Sequence, residues 1–397
     1  MGFLLRKQKG LIFTGIARLA IISFVASIAF AFIDSIWAVY LDSFVNSASI
    51  VGFISAGLTV VSFISYFYFI PLIEKSSKSK IYFYSMIGFF IAYVLFAINK
   101  NFYFVIVLAF IATILHTLRL TSFGIIVSDK SSERNLSRNE GLMYTFANVA
   151  WVVGPLIAGW ISEYYGINLV FSLSAIFIFI ALFLFKISRV DDVNIKPKAD
   201  ESMIKNFISF FKDKERRIAY LLGGGVNFWW ALIYIFIPIF IIRQGLGIRW
   251  VGYFLFAVAV PLVAFGYVFS KLAGTVGFRK IFKIGFLIPA ILVFICFFVS
   301  NPYIILGLLV FASIGLAMLE ATTEAYFFDI LGNKKNRTKF YGPYNTTIDV
   351  NYFVGKLLSA VILLFLPFKF LFLFFAIMMF SFFLLCFKIK NVIEGRR

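Results

Sequence analysis

Twelve apolar stretches divide the chain, at roughly 15–40, 49–70, 81–98, 102–127, 141–163, 168–188, 219–242, 249–270, 281–300, 303–328, 341–366 and 368–388. The hydrocarbon core of a bilayer takes about 20 apolar residues of helix, and each stretch is long enough. A helix also satisfies its own backbone hydrogen bonds, which lipid cannot do for it. Connections as short as Asn99-Lys100-Asn101 and Asn301-Pro302 force consecutive helices to run antiparallel. Composition agrees: 62% of the 397 residues are hydrophobic and 14% charged, against about half and a quarter in soluble domains. The 55 phenylalanines suit a surface that meets acyl chains. The expected fold is an all-α integral membrane protein of 12 transmembrane helices, which excludes collagen, coiled-coil, disulfide-scaffold and disordered classes.

A formal charge of +19 raises nucleic acid as a partner, but that requires basic residues on one continuous face. Here they fall in short clusters between apolar runs, as in the cytoplasmic loops of membrane proteins. Assigned to alternate sides, 30 of the 37 Lys and Arg residues lie with the two chain ends. The opposite side holds only Lys100, Arg243, Arg249 and Lys369. Both termini are therefore expected in the cytoplasm, the protein in the cell membrane, and no nucleic acid bound. The basic start, the apolar run and Ala29-Phe30-Ala31 resemble a secretory signal. The run continues to Tyr40, however, so it reads as the first membrane helix. Cys296 and Cys386 both lie in apolar runs, and His116 is the single histidine. No disulfide framework, metal cluster or cofactor is expected.

The chain also repeats itself. An offset of 200 pairs Val51-Gly52 with Val251-Gly252, Leu72 with Leu272, Lys80-Ile81 with Lys280-Ile281, Asn101 with Asn301 and Tyr103 with Tyr303. At 201, Gly141 meets Gly342, Val149 meets Val350, and Val153-Gly154 meets Val354-Gly355. Two pseudo-symmetric six-helix halves are expected, at 1–188 and 218–397, around a cytoplasmic linker at 189–217. Transporters built this way hold substrate between the halves near the bilayer midplane. Within the linker, Met203, Ile204, Phe207, Ile208 and Phe211 share one helical face, the pattern of a helix lying on a membrane surface or of a partly helical tether.

Six plus six spans, a central linker and three local patterns resemble the major facilitator superfamily. After the second span, Leu72, Glu74, Lys75 and Lys78 stand where that family carries Leu, Asp, Arg and Arg, with Ser77 in place of a glycine. The second-half counterpart keeps Leu272, Gly277 and Arg279 and has Gly274 for the acid. The resemblance implies that these loops belong to a cytoplasmic gate. In the fifth span Gly141, Ala150, Gly154-Pro155, Ala158 and Gly159 follow the spacing of the proton-linked drug antiporter group. Small residues there let helix backbones approach closely. Arg119 with Leu115 fits the fourth-span pattern of that group, whereas Ser122-Phe123 departs from its Gln-Gly.

Ionisable side chains at membrane depth are costly unless they face a partner or a wet cavity. Asp34 lies deep in the first span; His116 and Arg119 share a face of the fourth; Glu320 and Glu324 are one turn apart in the tenth. Asn345, Asp349, Tyr352 and Lys356 form a stripe along the eleventh, and Asn227, Trp230 and Tyr234 share a face of the seventh. The resemblance implies that spans one, four, seven and ten line the substrate path. Asp34, His116, Arg119, Asn227, Trp230, Tyr234, Glu320, Glu324 and Asp349 are thus the expected substrate and proton site. Glu74, Lys75, Lys78, Gly154, Pro155, Gly159, Gly277 and Arg279 are expected to serve the gates. Four acids (Asp34, Glu320, Glu324, Asp349) against two firm cations (Arg119, Lys356) suit a carboxyl that exchanges a proton as the cavity changes sides.

The function expected is secondary active transport of a small molecule by a monomer in the bilayer, as proton-coupled export of an amphipathic or cationic compound. The alternatives are proton-symport uptake of a sugar, amino acid or organic anion, and a non-transporting sensor or scaffold on the same fold. No Gly-x4-Gly-Lys-Ser/Thr loop is present to use ATP, and no catalytic constellation suggests an enzyme.

Overall fold

A computed structural model describes residues 15–131, 136–190, 203–332 and 334–389. Both basic chain ends and residues 191–202 of the expected linker lie outside the described residues, as does the side chain of Glu74. Every described element is helical. The first half comprises α1 (Gly15–Val45), α2 (Ala48–Glu74), α3 (Lys78–Ile98), α4 (Phe102–Asp129), α5 (Leu136–Tyr165) and α6 (Ile167–Ile187). After α7 (Met203–Lys212), the seventh span runs from α8 (Lys214–Ala231) through a π-helical turn, Leu232–Phe236, into α9 (Ile237–Arg243). Then follow α10 (Ile248–Val276), α11 (Phe278–Cys296), α12 (Pro302–Glu320), α13 (Thr323–Leu331), α14 (Lys334–Asn345), α15 (Thr347–Phe365) and α16 (Lys369–Leu385).

Eleven helical stretches among the described residues are long and apolar enough to cross a membrane. The twelfth segment is α11, at the expected ninth span, which begins three residues earlier than expected, at Phe278, and ends at Cys296. It is short and carries Arg279, Lys280 and Lys283 near its start, yet Phe282, Phe286 and Val293 are fully buried. It packs between α12 and α16. Two expected single helices are broken. The tenth span turns at Ala321-Thr322, between α12 and α13, and the eleventh is interrupted at Thr346.

The sequence repeat recurs as local structure. Asn101 caps α4 by accepting from Phe104 N at 3.2 Å, and Asn301 caps α12 by accepting from Tyr303 N at 2.9 Å. An N-cap side chain satisfies a helix-end N–H that has no partner within the helix, so both tight connections restart a helix in the same way. Position 77 differs from 277 for a backbone reason. Gly277 has φ +84°, which favours glycine, and joins α10 directly to α11. Ser77 instead has φ −69° and its hydroxyl accepts from Lys80 N at 3.3 Å, capping α3.

The packing is pseudo-symmetric too. Ala31 and Ala231 are 200 residues apart, as Gly154 and Gly355 are 201 apart. A Cβ on Gly154 would come 2.7 Å from the Ala31 Cβ, and one on Gly355 3.0 Å from the Ala231 Cβ. Between the halves, α5 packs on α10 and α2 on α15. Gly159 and Gly252 approach so closely that a Cβ on Gly252 would lie 2.5 Å from the Pro155 carbonyl oxygen. The equivalent crossing has Gly52 against Ala360, at 2.8 Å for an added Cβ.

These contacts lie toward the end of the bundle remote from Gly15 and Lys388, called here the crown; the opposite end is the base. At the crown Arg243 Nη2 donates to Asp42 Oδ1 at 2.9 Å and Ser49 Oγ donates to the Ala360 carbonyl at 2.7 Å. Arg249 N donates to Glu163 Oε2 at 3.1 Å and its Nη1 to the Tyr164 hydroxyl at 2.8 Å. Every one of these bonds joins one half to the other, so the crown is closed.

The linker helix differs from expectation. Its fully buried residue is Phe210, which sits among Tyr220, Phe327 and Phe340, ring centroids 6.0–6.2 Å away. Phe207 meets Phe67 of α2 at 5.7 Å, while Ile208 is exposed. The apolar stripe read from the sequence therefore divides: one part packs on the protein, and the bundle itself supplies the aromatic partners.

Candidate functional site

From Ala29 to Ile36 every residue of α1 is buried except Asp34, which is exposed. An exposed side chain in the middle of a buried stretch faces an internal opening. That opening is a cavity of about 340 Å³ whose lining includes Asp34, Trp37, Tyr93, His116, Asp349 and Lys356. It lies between α1, α2, α3 and α4 of one half and α15 of the other, and Ile235 of the π-helical turn also reaches it.

Two polar links cross from α15 to α2 along its wall. Lys356 Nζ donates to Thr59 Oγ1 at 2.9 Å and lies 4.4 Å from the centroid of the Tyr352 ring. Asp349 is hydrogen-bonded to Ser62. Asp349 and Lys356 thus do not pair with each other; seven residues of helix, about 10 Å of rise, keep them apart, and each reaches α2 instead. On the α4 side, the Arg119 guanidinium carbon lies 4.0 Å from the centre of the Phe30 ring, and His116 meets the same ring edge-on at 6.0 Å. Arg119 Nε is buried with no hydrogen-bond partner.

The remaining expected residues form a second group on the second half. Trp230 Nε1 donates to Glu320 Oε2 at 3.2 Å. Tyr234 stacks obliquely on Trp230 at 5.5 Å and meets Trp151 of α5 edge-on at 6.4 Å. Glu320 and Glu324 are both exposed, on either side of the break between α12 and α13. Asn227 instead turns back on its own helix, donating to the Gly223 carbonyl at 3.2 Å. None of Asp34, Asp349, Glu320, Glu324, Arg119 or Lys356 has an oppositely charged group within 4.0 Å among the described residues. Unpaired charges at membrane depth require water or a ligand.

Phe89, Tyr93 and Phe96 of α3 and Ser55, Thr59 and Ser62 of α2 all line the cavity, although sequence reasoning assigns them no role. The α2 residues had a signal: they stand at i, i+4 and i+7, a polar stripe in an apolar helix. The α3 aromatics had none in a chain so rich in Phe. Of the expected gate residues, Gly154, Pro155 and Gly159 pack α5 against α1 and α10. Gly277 makes the turn into α11, and Arg279 Nη2 donates to the Phe387 carbonyl at 2.7 Å, tying α11 to the chain just past α16. Lys75 caps the end of α2 and Lys78 starts α3.

A charged cavity bounded by both halves, with a seal at one end, is the arrangement of an alternating-access transporter. The family profile described as Major Facilitator Superfamily matches residues 19–272 and 252–395. The chain belongs to the Major Facilitator Superfamily. It is a multi-pass membrane transporter, not an enzyme. Similar solved structures include the nucleoside transporter NupG, 14% identical with a TM-score of 0.76, covering 95% of this chain and 100% of that one. A POT family transporter in complex with 5-aminolevulinic acid is 13% identical with a TM-score of 0.75, covering 96% and 97%. A bacterial homolog of the human lysosomal transporter Spinster, inward-facing and unoccupied, is 14% identical with a TM-score of 0.70, covering 88% and 81%. At such identities the likeness is one of fold. No curated protein sequence matches the chain.

Proposed function

We propose that this member of the superfamily is a proton-coupled secondary transporter, monomeric in the cell membrane, and that it exports an amphipathic or cationic small molecule. One observation carries the reading: Asp34 is a carboxyl exposed to an internal cavity, with no cation within 4.0 Å among the described residues. Such a group is free to take up a proton or a cationic substrate, and competition between the two for one carboxyl couples their opposite movements. Four acids against two cations support the same reading, as does the small-residue face of α5 that resembles the drug antiporter pattern. With both chain ends in the cytoplasm, the sealed crown faces outward.

Purified protein in liposomes with an imposed pH gradient tests this. Movement of cationic dyes against the proton gradient is expected, with a loss of at least tenfold in Asp34→Asn. Unchanged gradient-driven movement in that variant overturns the role of Asp34. A second reading, proton-symport uptake, is favoured by the Arg119 guanidinium, which has no carboxylate within 4.0 Å among the described residues and suits an anionic substrate group.

A further inference from the structure

The crown holds a second cavity, of about 540 Å³. Its lining includes Lys100 of the α3–α4 connection, Ser162 near the end of α5, and Gly166, Ile167 and Asn168 where α6 begins. Three packed rings stand between it and the central cavity. Tyr40 borders the crown space, whereas Trp37 and Phe96 border the central one. Their centroids lie 5.6–6.1 Å apart, and the Tyr40 hydroxyl donates to the Phe96 carbonyl at 3.3 Å. The two spaces are separate.

The polar groups at the crown cavity suit an anion. A helix start carries partial positive charge on N–H groups that the helix itself cannot satisfy. Side chains meet that need where α2, α4 and α12 begin. At α6 the N-cap is Gly166, with φ +86° and no side chain to offer. Lys100 is exposed and has no carboxylate within 4.0 Å among the described residues. Ser162 is an independent sign. It is 6% exposed, and its hydroxyl has no hydrogen-bond partner among the described residues. A hydroxyl buried without a partner is costly, and a ligand in this cavity would relieve that cost. No acid is in the lining, and the neighbouring Glu163 carboxylate is already committed to Arg249 N at 3.1 Å.

We propose that the crown cavity is a second binding site, for a phosphate group seated on the start of α6 between Lys100 and Ser162. A phosphate has enough acceptor oxygens to take the backbone N–H groups, the ammonium and the hydroxyl together. The crown is where the spans end, at the level of lipid headgroups, so the phosphate comes from a headgroup or from free solution. Ile248 of α10 also lines the cavity, while the rest of the lining belongs to the first half. A ligand that fills the space touches both halves only while the crown is closed, so occupancy favours that state. The site is independent of proton coupling and of the direction of transport.

Melting temperatures of the full, maltoside-purified protein in phosphate-free buffer test this. The probes are inorganic phosphate, dihexanoyl phosphatidylglycerol and, as the phosphate-free comparison, dihexanoylglycerol. A phosphate-bearing probe is expected to bind and dihexanoylglycerol not to. Phosphatidylglycerol at least tenfold tighter than inorganic phosphate identifies a headgroup as the occupant, and phosphatidylglycerol no tighter identifies the free ion. Lys100→Gln should weaken binding at least tenfold and Ser162→Ala at least threefold. Asp34→Asn and Arg119→Gln should bind as wild type does, so a failure of the proton reading leaves this readout untouched. In protein carrying a crown cysteine outside the cavity, the bound probe should slow thiol labelling at least threefold, a measurement that needs no variant of the site itself. The proposal is overturned if dihexanoylglycerol binds as well as phosphatidylglycerol, if no phosphate-bearing probe binds, or if Lys100→Gln binds at full strength. Loss of binding in Arg119→Gln would place the phosphate in the central region and overturn it too, as would labelling that a bound probe leaves unchanged.

Discussion

Gly252 of α10 rests against the backbone of Gly159 and Pro155 of α5, close enough that any side chain at either glycine would strike the other helix. The contact joins the halves near the crown and has its pseudo-symmetric equivalent in Gly52 against Ala360. Two glycine-bearing crossings therefore hold the crown shut through van der Waals contact, which an added methyl group abolishes. Gly252→Ala should destabilise the crown-closed state by about 1–3 kcal/mol, the usual scale of overpacking, or roughly tenfold in the ratio of crown-closed to crown-open molecules. Thiol labelling of a cysteine placed at the crown reads that ratio, with low background because Cys296 and Cys386 are buried. Labelling equal to that of the unsubstituted background would show that the crossing does not set the conformation.

The Asp42–Arg243 pair adds an electrostatic latch to the same seal. Asp42 is 8% exposed, so its carboxylate is largely desolvated and depends on the 2.9 Å bond from Arg243. Arg243 is more open, which places the interaction between the buried and surface limits, at about 1–3 kcal/mol. Asp42→Asn should raise crown labelling about tenfold, and the charge swap of both residues should restore much of the closure. Equal labelling of the single variant and the swap, both above wild type, would assign the effect to packing instead of charge.

Much of this architecture was legible in the sequence because lipid imposes it. Backbone satisfaction demands helices of a fixed length, and the repeat of Gly, Asn and loop positions carries the pseudo-symmetry. Departures arise where a local competitor wins. The tenth span is broken at Thr322, whose hydroxyl donates to the Met318 carbonyl. Hydropathy alone cannot see such a turn, so Glu320 and Glu324 read as neighbours on one continuous helix. Asn227 belongs to the expected polar face but spends its amide on its own helix, a choice that periodicity does not encode. The cavity's α2 and α3 walls were missed for a different reason. Ser, Thr, Phe and Tyr have too little charge to stand out at membrane depth, and only packing shows that they meet Asp34 and Lys356.

The same lesson applies to α7, where amphipathicity located the helix and packing decided what it binds. Phe210 is fully enclosed by rings from α8, α13 and α14, and Arg216 fastens the helix end by donating from Nη2 to the Ser209 carbonyl at 2.7 Å and from Nε to the Phe210 carbonyl at 3.1 Å. The guanidinium also lies 4.1 Å from the centre of the Phe340 ring. This anchoring belongs to the second half, whereas the ring contact with the first half is Phe207 on Phe67. Phe210→Ala removes the enclosed ring, a loss of about 3–5 kcal/mol at a fully buried site, and the membrane helices do not depend on it. Limited proteolysis should therefore cut the linker at least tenfold faster in Phe210→Ala than in wild type while the spans remain intact. Phe207→Ala should loosen only the contact to α2 and leave the cleavage rate within about twofold. A cleavage rate in Phe210→Ala equal to that of wild type would mean that Arg216 alone holds the helix in place.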